Sequence, residues 1–292
     1  MKNKAFRDLL VENASEAKVV LAGIPYDKGC SCGKGASYAP DRLRELSAYL
    51  PPFTMNGVDI REAKIYDYGN IKAKNMEDIE TGTKEMFNNT KFKLFFGGDH
   101  SVSYPIHKNF YKKCIEENKI PVIIHIDAHP DFCDKYDGSK YSHACPNMRS
   151  YEDGYKLENI VLIGIRGYED QEVEFFEKHK ELKIYEASYI NECGIDNMLK
   201  ELASKYKGEY EVCISYDIDA NDPSYAPGTG TPEAFGLKSI DTMKIICTLI
   251  QKLNVTCLDI VEISPKLDCN DITSWLALKT LYEVLEVVNR KF

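Results

Sequence analysis

The chain has no uninterrupted apolar run of about 18 residues, the length that a membrane-spanning helix needs. Its opening residues, Met1-Lys-Asn-Lys-Ala-Phe-Arg-Asp8, lack the apolar stretch of a secretory signal. The expectation is a cytoplasmic protein with no membrane partner. An excess of positive charge is missing too: 37 Lys and Arg against 46 Asp and Glu leave a net charge of −9. That balance argues against nucleic acid as a partner and suits a small cationic ligand. None of the ten cysteines forms a Cys-x-x-Cys pair, so the usual zinc spacing is absent. Cys30-Ser-Cys32 reads as a loop with ordinary thiols, and Cys213 and Cys257 fall inside apolar, strand-like runs. Reduced thiols are expected rather than bridges. With no Ser/Gly linker, repeat or low-complexity tract, residues 1–292 read as a single domain.

What is present is an alternation. Short β-rich runs occur at Lys18–Gly23, Ala63–Tyr68, Phe92–Phe96, Pro121–Asp127, Asn159–Ile165, Leu182–Glu186, Tyr210–Tyr216 and Val255–Ile263. Segments with helical spacing lie at Pro40–Leu50, Met76–Asn89, Ser103–Glu117, Asp170–Lys180, Ile195–Tyr206, Ser239–Lys252 and Ile272–Arg290. Strands alternating with helices imply a central, mainly parallel sheet covered on both faces, an α/β fold of three α/β/α layers. In such sheets ligands bind beyond the carboxyl ends of the strands.

Polar residues follow four of those runs. Lys93-Leu-Phe-Phe leads into Gly97-Gly-Asp-His-Ser101, and Pro121-Val-Ile-Ile-His-Ile leads into Asp127-Ala-His-Pro-Asp131. Tyr210-Glu-Val-Cys-Ile-Ser-Tyr is followed by Asp217-Ile-Asp219, and Leu258-Asp-Ile-Val by Glu262. Residues at i, i+2 and i+4 of extended chain project to one side, so Asp127, His129 and Asp131 can converge, as can Asp217 and Asp219. Buried carboxylates crowded together repel one another, and a cation is the simplest remedy. Four aspartates balance two divalent ions, and two imidazoles complete a donor set that suits manganese, with other divalent metals possible. His125 reads as a buried structural histidine, whereas His107 and His179 are expected on helix surfaces. Asp99 and Asp222 are expected in turns.

Together these motifs resemble the ureohydrolase family, which includes arginase, agmatinase, guanidinobutyrase and formimidoylglutamase. The resemblance also takes in Gly23-Ile-Pro-Tyr-Asp27, Gly35-Ala-Ser-Tyr-Ala-Pro40, Ser215-Tyr-Asp-Ile-Asp-Ala-Asn-Asp-Pro223 and Ala226-Pro-Gly-Thr-Gly-Thr-Pro232, and so covers most of the chain. It implies that His100, Asp127, Asp131 and Asp217 hold one manganese ion, and that Asp127, His129, Asp217 and Asp219 hold a second. Asp127 and Asp217 would then bridge, and Asp131 would belong to the catalytic set. It further implies that Glu262 pairs with a substrate guanidinium, that His143 relays protons, that Thr231 lies near the substrate, and that the protein is a homo-oligomer, a trimer or hexamer. The chain departs from the family pattern at Ala144-Cys145, where many members have Gly and a small residue, and at Phe235-Gly236, where Gly-Gly is common.

The implied chemistry is hydrolysis of a guanidino group. Two cations make a shared water more acidic, and His143, with an ordinary pKa near 6.5, can carry a proton to the leaving amine. For the substrate, Cys133 stands where an arginase-like loop carries Asn, and Asp134 and Asp137 follow it. Carboxylates there favour a terminal ammonium over an α-carboxylate, with Asp134 as the candidate contact. Agmatine, cleaved to putrescine and urea, is therefore the expected substrate, ahead of arginine or guanidinobutyrate. A catalytically silent metal-binding regulator would be expected to lack a ligand, His143 or Glu262, and none is missing. A deacetylase-type amidohydrolase would need only one Asp/His/Asp zinc site.

Overall fold

Apolar residues alternate along each central strand and so supply both faces of one sheet. In β1 (Val19–Gly23), Val19 and Leu21 enter one core cluster while Val20 and Ala22 enter the other. In β4 (Ile120–Ile126), Val122, Ile124 and Ile126 face one way and Ile123 the other. This is the period of two that a pleated strand imposes. The computed structural model describes residues 5–292, so Met1–Lys4 of the opening segment lie outside the described residues.

The remaining strands are β2 (Ile65–Asn70), β3 (Phe92–Phe96), β5 (Ile160–Ile165), β6 (Lys183–Glu186), β7 (Tyr210–Asp217) and β8 (Val255–Val261). They form an eight-stranded sheet in the order β2-β1-β3-β8-β7-β4-β5-β6, and every pairing is parallel. Each strand lies where the sequence places one, with ends shifted by a few residues at most. An all-parallel sheet needs both faces covered. One layer contains α1 (Ala39–Ser47), α6 (Ala187–Cys193), α7 (Asp196–Lys205), α8 (Ser239–Lys252) and α9 (Ile272–Lys291). The other contains α2 (Met76–Lys84), α3 (Ser103–Glu116), α4 (Pro146–Glu152) and α5 (Asp170–Lys178). The α/β/α layering is thus present. Helix α3 shows the logic: Ile106, Phe110 and Cys114 recur at i, i+4 and i+8 and are all fully buried.

Three expectations change. The Met76–Asn89 segment is an α-helix only to Lys84, then a 3-10 turn over Glu85–Asn88. Helices α4 and α6 were not anticipated; each has seven residues, about two turns, too few to display a periodicity. His107, expected at the surface, is fully buried, because α3 packs on the sheet and also against α4, which widens its covered face. His179 is half-buried, its ring 4.3 Å from that of Phe175. The ten cysteines carry no bridge among them. Among the described residues no helix is long and apolar enough to cross a membrane.

The sheet order positions the site. Strands β3, β8, β7 and β4 are consecutive neighbours, and they are the four whose carboxyl ends carry His100, Glu262, Asp217 and Asp127. Residues distant in sequence thereby meet at the centre of the sheet.

Candidate metal centre

Four side chains meet at His100. Its Nδ1 lies 2.9 Å from Asp127 Oδ2, 3.0 Å from Asp131 Oδ2 and 3.1 Å from Asp217 Oδ2, all of them buried. Asp131 reaches inward from a left-handed backbone conformation, φ 57°, that a non-glycine residue adopts only at some cost. A second group adjoins the first: His129 Nδ1 lies 3.3 Å from Asp219 Oδ2 and 3.5 Å from Asp127 Oδ1. Asp127 belongs to both groups, one oxygen in each. Asp217 places Oδ2 in the first group, while its Oδ1 accepts the backbone N–H of Asp219 at 2.8 Å. The structure thus brings the six expected ligands together. The disposition of a bridge is visible for Asp127, and Asp217 sits with the first group.

The electrostatics demand a positive centre. Burial, then Asp219 and Asp127, push the Asp217 carboxyl well above the usual range, and burial with Asp127 raises Asp219 as well. Against the same burial, His125, His100 and His129 hold Asp127 well below it. The His100 ring resists burial and is raised by Asp131, Asp127 and Asp217. Protein groups alone leave His100 Nδ1 and Asp127 Oδ2 without a hydrogen-bond partner. The spacing also fits a cation: ligands about 2.1 Å from an octahedral ion stand about 3.0 Å apart, matching the 2.9–3.1 Å around His100 Nδ1.

His125 is a near miss. Its ring stacks on His100 at 4.7 Å and its Nε2 is 3.0 Å from Asp127 Oδ2, close enough to pass for a ligand. That same Nε2 lies 3.0 Å from the His129 carbonyl oxygen. A carbonyl only accepts, so Nε2 carries a proton and has no lone pair for a metal. The expected structural role holds, with the addition that the ring buttresses two ligands.

Glu262 and His143 form the next shell. Glu262 follows β8 with φ 60° and is 2% exposed; its Oε1 accepts the His100 backbone N–H at 2.8 Å and meets His143 Nδ1 at 3.2 Å. His143 Nε2 stands 2.9 Å from Ser31 Oγ. Burial disfavours charge on this ring, but Glu262 outweighs it and raises His143 to about 9. Thr231 Oγ1 donates to Asp219 Oδ2 at 3.3 Å. Asp99, fully buried, accepts the backbone N–H groups of Gly29 and Ser101, and Asp222 those of Ser224 and Gly236, so both serve turns.

A cavity of about 140 Å³ opens onto this centre. His100, His129, Asp131, His143, Asp217 and Thr231 line it, and so do Ser31, Tyr136, Tyr168, Glu169, Glu172 and Glu233, which the sequence reading passed over. Their signals were faint: Glu169-x-x-Glu172 is a capping box opening α5, and Ser31 sits between two cysteines. Asp134 corrects an expectation. It is not among the lining residues; its exposed carboxylate pairs with Arg149 at 3.0 Å and Lys140 at 3.4 Å. Asp137 is exposed and Cys133 buried, and neither lines the cavity.

A folded-state pKa above the unfolded value means that Asp217 contributes stability in full below its unfolded pKa, and that this is lost as pH rises through the folded value. Without metal at neutral pH its charge therefore opposes folding. Asp217→Asn should melt higher than the parent in chelator, by about 1–2 °C per kcal/mol regained, and lower than the parent in excess manganese. Thermal scans in both conditions check the reversal; the same sign in both would contradict it.

A cage of carboxylate and imidazole at the carboxyl edge of a parallel sheet defines an α/β protein with a candidate metal-binding centre. Residues 17–286 match the arginase family, and the chain belongs to that family. It is 34% identical over 278 residues to the agmatinase of Bacillus cereus, covering 92% of this chain and 91% of that one. It is 32% identical over 281 residues to the guanidinobutyrase of Pseudomonas aeruginosa, covering 92% and 85%. The agmatine ureohydrolase of Thermoplasma volcanium superimposes with a TM-score of 0.86 at 31% identity, covering 99% and 94% of the two chains.

Proposed function

We propose that this protein is a ureohydrolase that cleaves agmatine to putrescine and urea with two manganese ions bound. The observation that carries the substrate is the cavity wall: Asp131, Glu169, Glu172, Asp217 and Glu233 line it, and among the described residues no lysine or arginine does. A ligand with a cation at each end suits such a wall better than one with a carboxylate tail. The Bacillus and Thermoplasma relatives, both named for agmatine, support the reading. The small volume suits a small-molecule substrate. Mixed carboxylate and imidazole donors support manganese. The reading carries with it a cytoplasmic homotrimer or homohexamer, which light scattering of the purified protein would check.

When bound, the ions supply Lewis acidity that makes water nucleophilic at neutral pH. The chain's own residues do the rest. Glu262 is not itself among the cavity-lining residues, but it holds the lining His143 and would offer a carboxylate to the guanidinium, a charge-assisted hydrogen-bonded pair. Water oxygen bonds to the guanidino carbon, the bond from carbon to the alkyl-bearing nitrogen breaks, and that nitrogen needs a proton. Because Glu262 Oε1 holds His143 Nδ1, the proton moves at Nε2, the atom beside Ser31. Thr231 steadies Asp219 at the cavity wall.

Urea release from agmatine, arginine and guanidinobutyrate with added manganese tests the assignment. Agmatine should give the highest kcat/KM. Glu169→Gln and Glu233→Gln should each lower it about tenfold, the equivalent of about 1.4 kcal/mol, and spare or improve guanidinobutyrate. Asp134→Asn should change nothing beyond twofold, since that carboxylate already serves Arg149. A preference for guanidinobutyrate would move the protein to the guanidinobutyrase reading, which the Pseudomonas relative supports; a preference for arginine would sink the argument from the wall.

A further inference from the structure

Behind His100 lies a buried chain of polar groups that no step above uses. Ser215 Oγ is 2.9 Å from His100 Nε2 and 2.7 Å from Asp259 Oδ1. Ser103 Oγ donates to that same Oδ1 at 2.8 Å. His100, Ser215, Ser103 and Asp259 are all within 1% of complete burial, so no water competes for these positions. The proton directions follow from chemistry. Oδ1 has two hydroxyl groups within reach and, as a carboxylate oxygen, accepts from both. Ser215 has a single O–H with two acceptors in reach, Oδ1 at 2.7 Å and Ser103 Oγ at 3.2 Å, and the shorter contact to a carboxylate is the stronger one. The Ser215 oxygen is then left to accept from His100, which fixes a proton on Nε2. A neutral ring with that proton presents a bare lone pair at Nδ1, the atom facing Asp127, Asp131 and Asp217.

His129 has nothing comparable. Among the described residues its Nε2 finds only the Glu233 carboxylate, 3.9 Å away, and both side chains are partly exposed. The two imidazoles that face the proposed ions thus differ in support: one is locked from behind by a dry hydrogen-bond chain, the other is open to solvent.

We infer that Asp259, acting through Ser215, is a positioning residue that holds His100 in its metal-ready tautomer and so sets cation affinity at the His100 position alone. The inference rests on the dinuclear reading of the preceding subsection. Groups that orient a metal-bound histidine are typically worth about 10–100-fold in metal affinity. In Asp259→Asn an amide nitrogen can face the two serines, turning the Ser215 hydroxyl toward His100 Nε2 and moving the ring proton to Nδ1, where it blocks the metal. Ser215→Ala removes the link with minimal change of volume.

The test separates the two positions. In a His129→Asn background only the His100 position should bind, and manganese affinity is measured there by competition with a chelator. Adding Ser215→Ala or Asp259→Asn should weaken binding about 10–100-fold. Combining them should cost no more than the worse single change, because both cut one chain. In a His100→Asn background the same changes should leave the remaining ion bound within threefold, a contrast that general damage to the fold would not produce. If Asp259→Asn fails to fold, Ser215→Ala decides alone. Unchanged affinity in the first background, or an equal loss in the second, overturns the inference and leaves the ureohydrolase reading intact. A parent protein that binds no metal would overturn both.

Discussion

Asp127→Ala should lose both manganese ions and, with them, about 10³-fold or more of turnover. The expectation comes from its position: one carboxylate oxygen lies in the His100 group and the other in the His129 group. No other side chain of the six has an oxygen placed in each. Two ions held close together repel, and a shared carboxylate is the cheapest way to screen that repulsion. Removing it leaves each ion short of a ligand. Lewis acidity toward water contributes several kcal/mol, and about 4 kcal/mol corresponds to roughly 10³-fold in rate. Elemental analysis of manganese-loaded protein should find about two ions in the parent and fewer than one in the variant. Asp131→Ala is the control, since its carboxylate faces only the His100 group, and it should lose one ion and keep the other. A parent that saturates at one ion would remove the dinuclear reading, and an Asp127→Ala protein that keeps both would remove the bridge.

The strands were readable because they are buried on both sides. Phe92–Phe96 and Tyr210–Asp217 are almost wholly covered, so most of their residues are apolar and the polar clusters that follow their carboxyl ends stand out. The candidate ligands follow the carboxyl ends of such strands, which is why they could be named without a structure. Loops offer no such contrast. Asp134 was placed toward the substrate because the chain near it is acidic, yet Arg149 turns it away. Arg149 comes from α4, one of the short helices that periodicity could not reveal, so the error about Asp134 descends from the error about α4. Glu169 and Glu233 had the opposite fate: in sequence they look like solvated loop charges, and only the meeting of the loops after β5 and after Thr231 makes them a wall. Side-chain direction in a loop is a tertiary property, and local sequence does not carry it.

His143→Asn should keep both ions and turn over about 10²–10⁴-fold more slowly. No metal-facing atom comes from this residue; Nδ1 is committed to Glu262 and Nε2 to Ser31 at the cavity. Asn can retain a hydrogen bond to Glu262 but cannot shuttle a proton, so the substitution separates position from chemistry. The pH dependence should separate them as well. Glu262 overcomes burial to raise the ring to about 9, so at neutral pH the imidazolium predominates and is ready to protonate the leaving nitrogen. As pH rises through that value the donor is lost, and the parent rate should fall along an alkaline limb. Cations nearby will draw that limb to lower pH, but its sign does not change. In the variant the limb should vanish, leaving a slow rate governed by water alone. The loss should also shrink for a guanidino substrate whose leaving amine is less basic, because such a nitrogen needs the proton less. Measured kcat against pH for both proteins, with metal content determined on the same samples, checks all three statements. An alkaline limb that persists without His143 would assign the proton to another group, and Ser31 with the acids of the cavity wall would become the residues to change next.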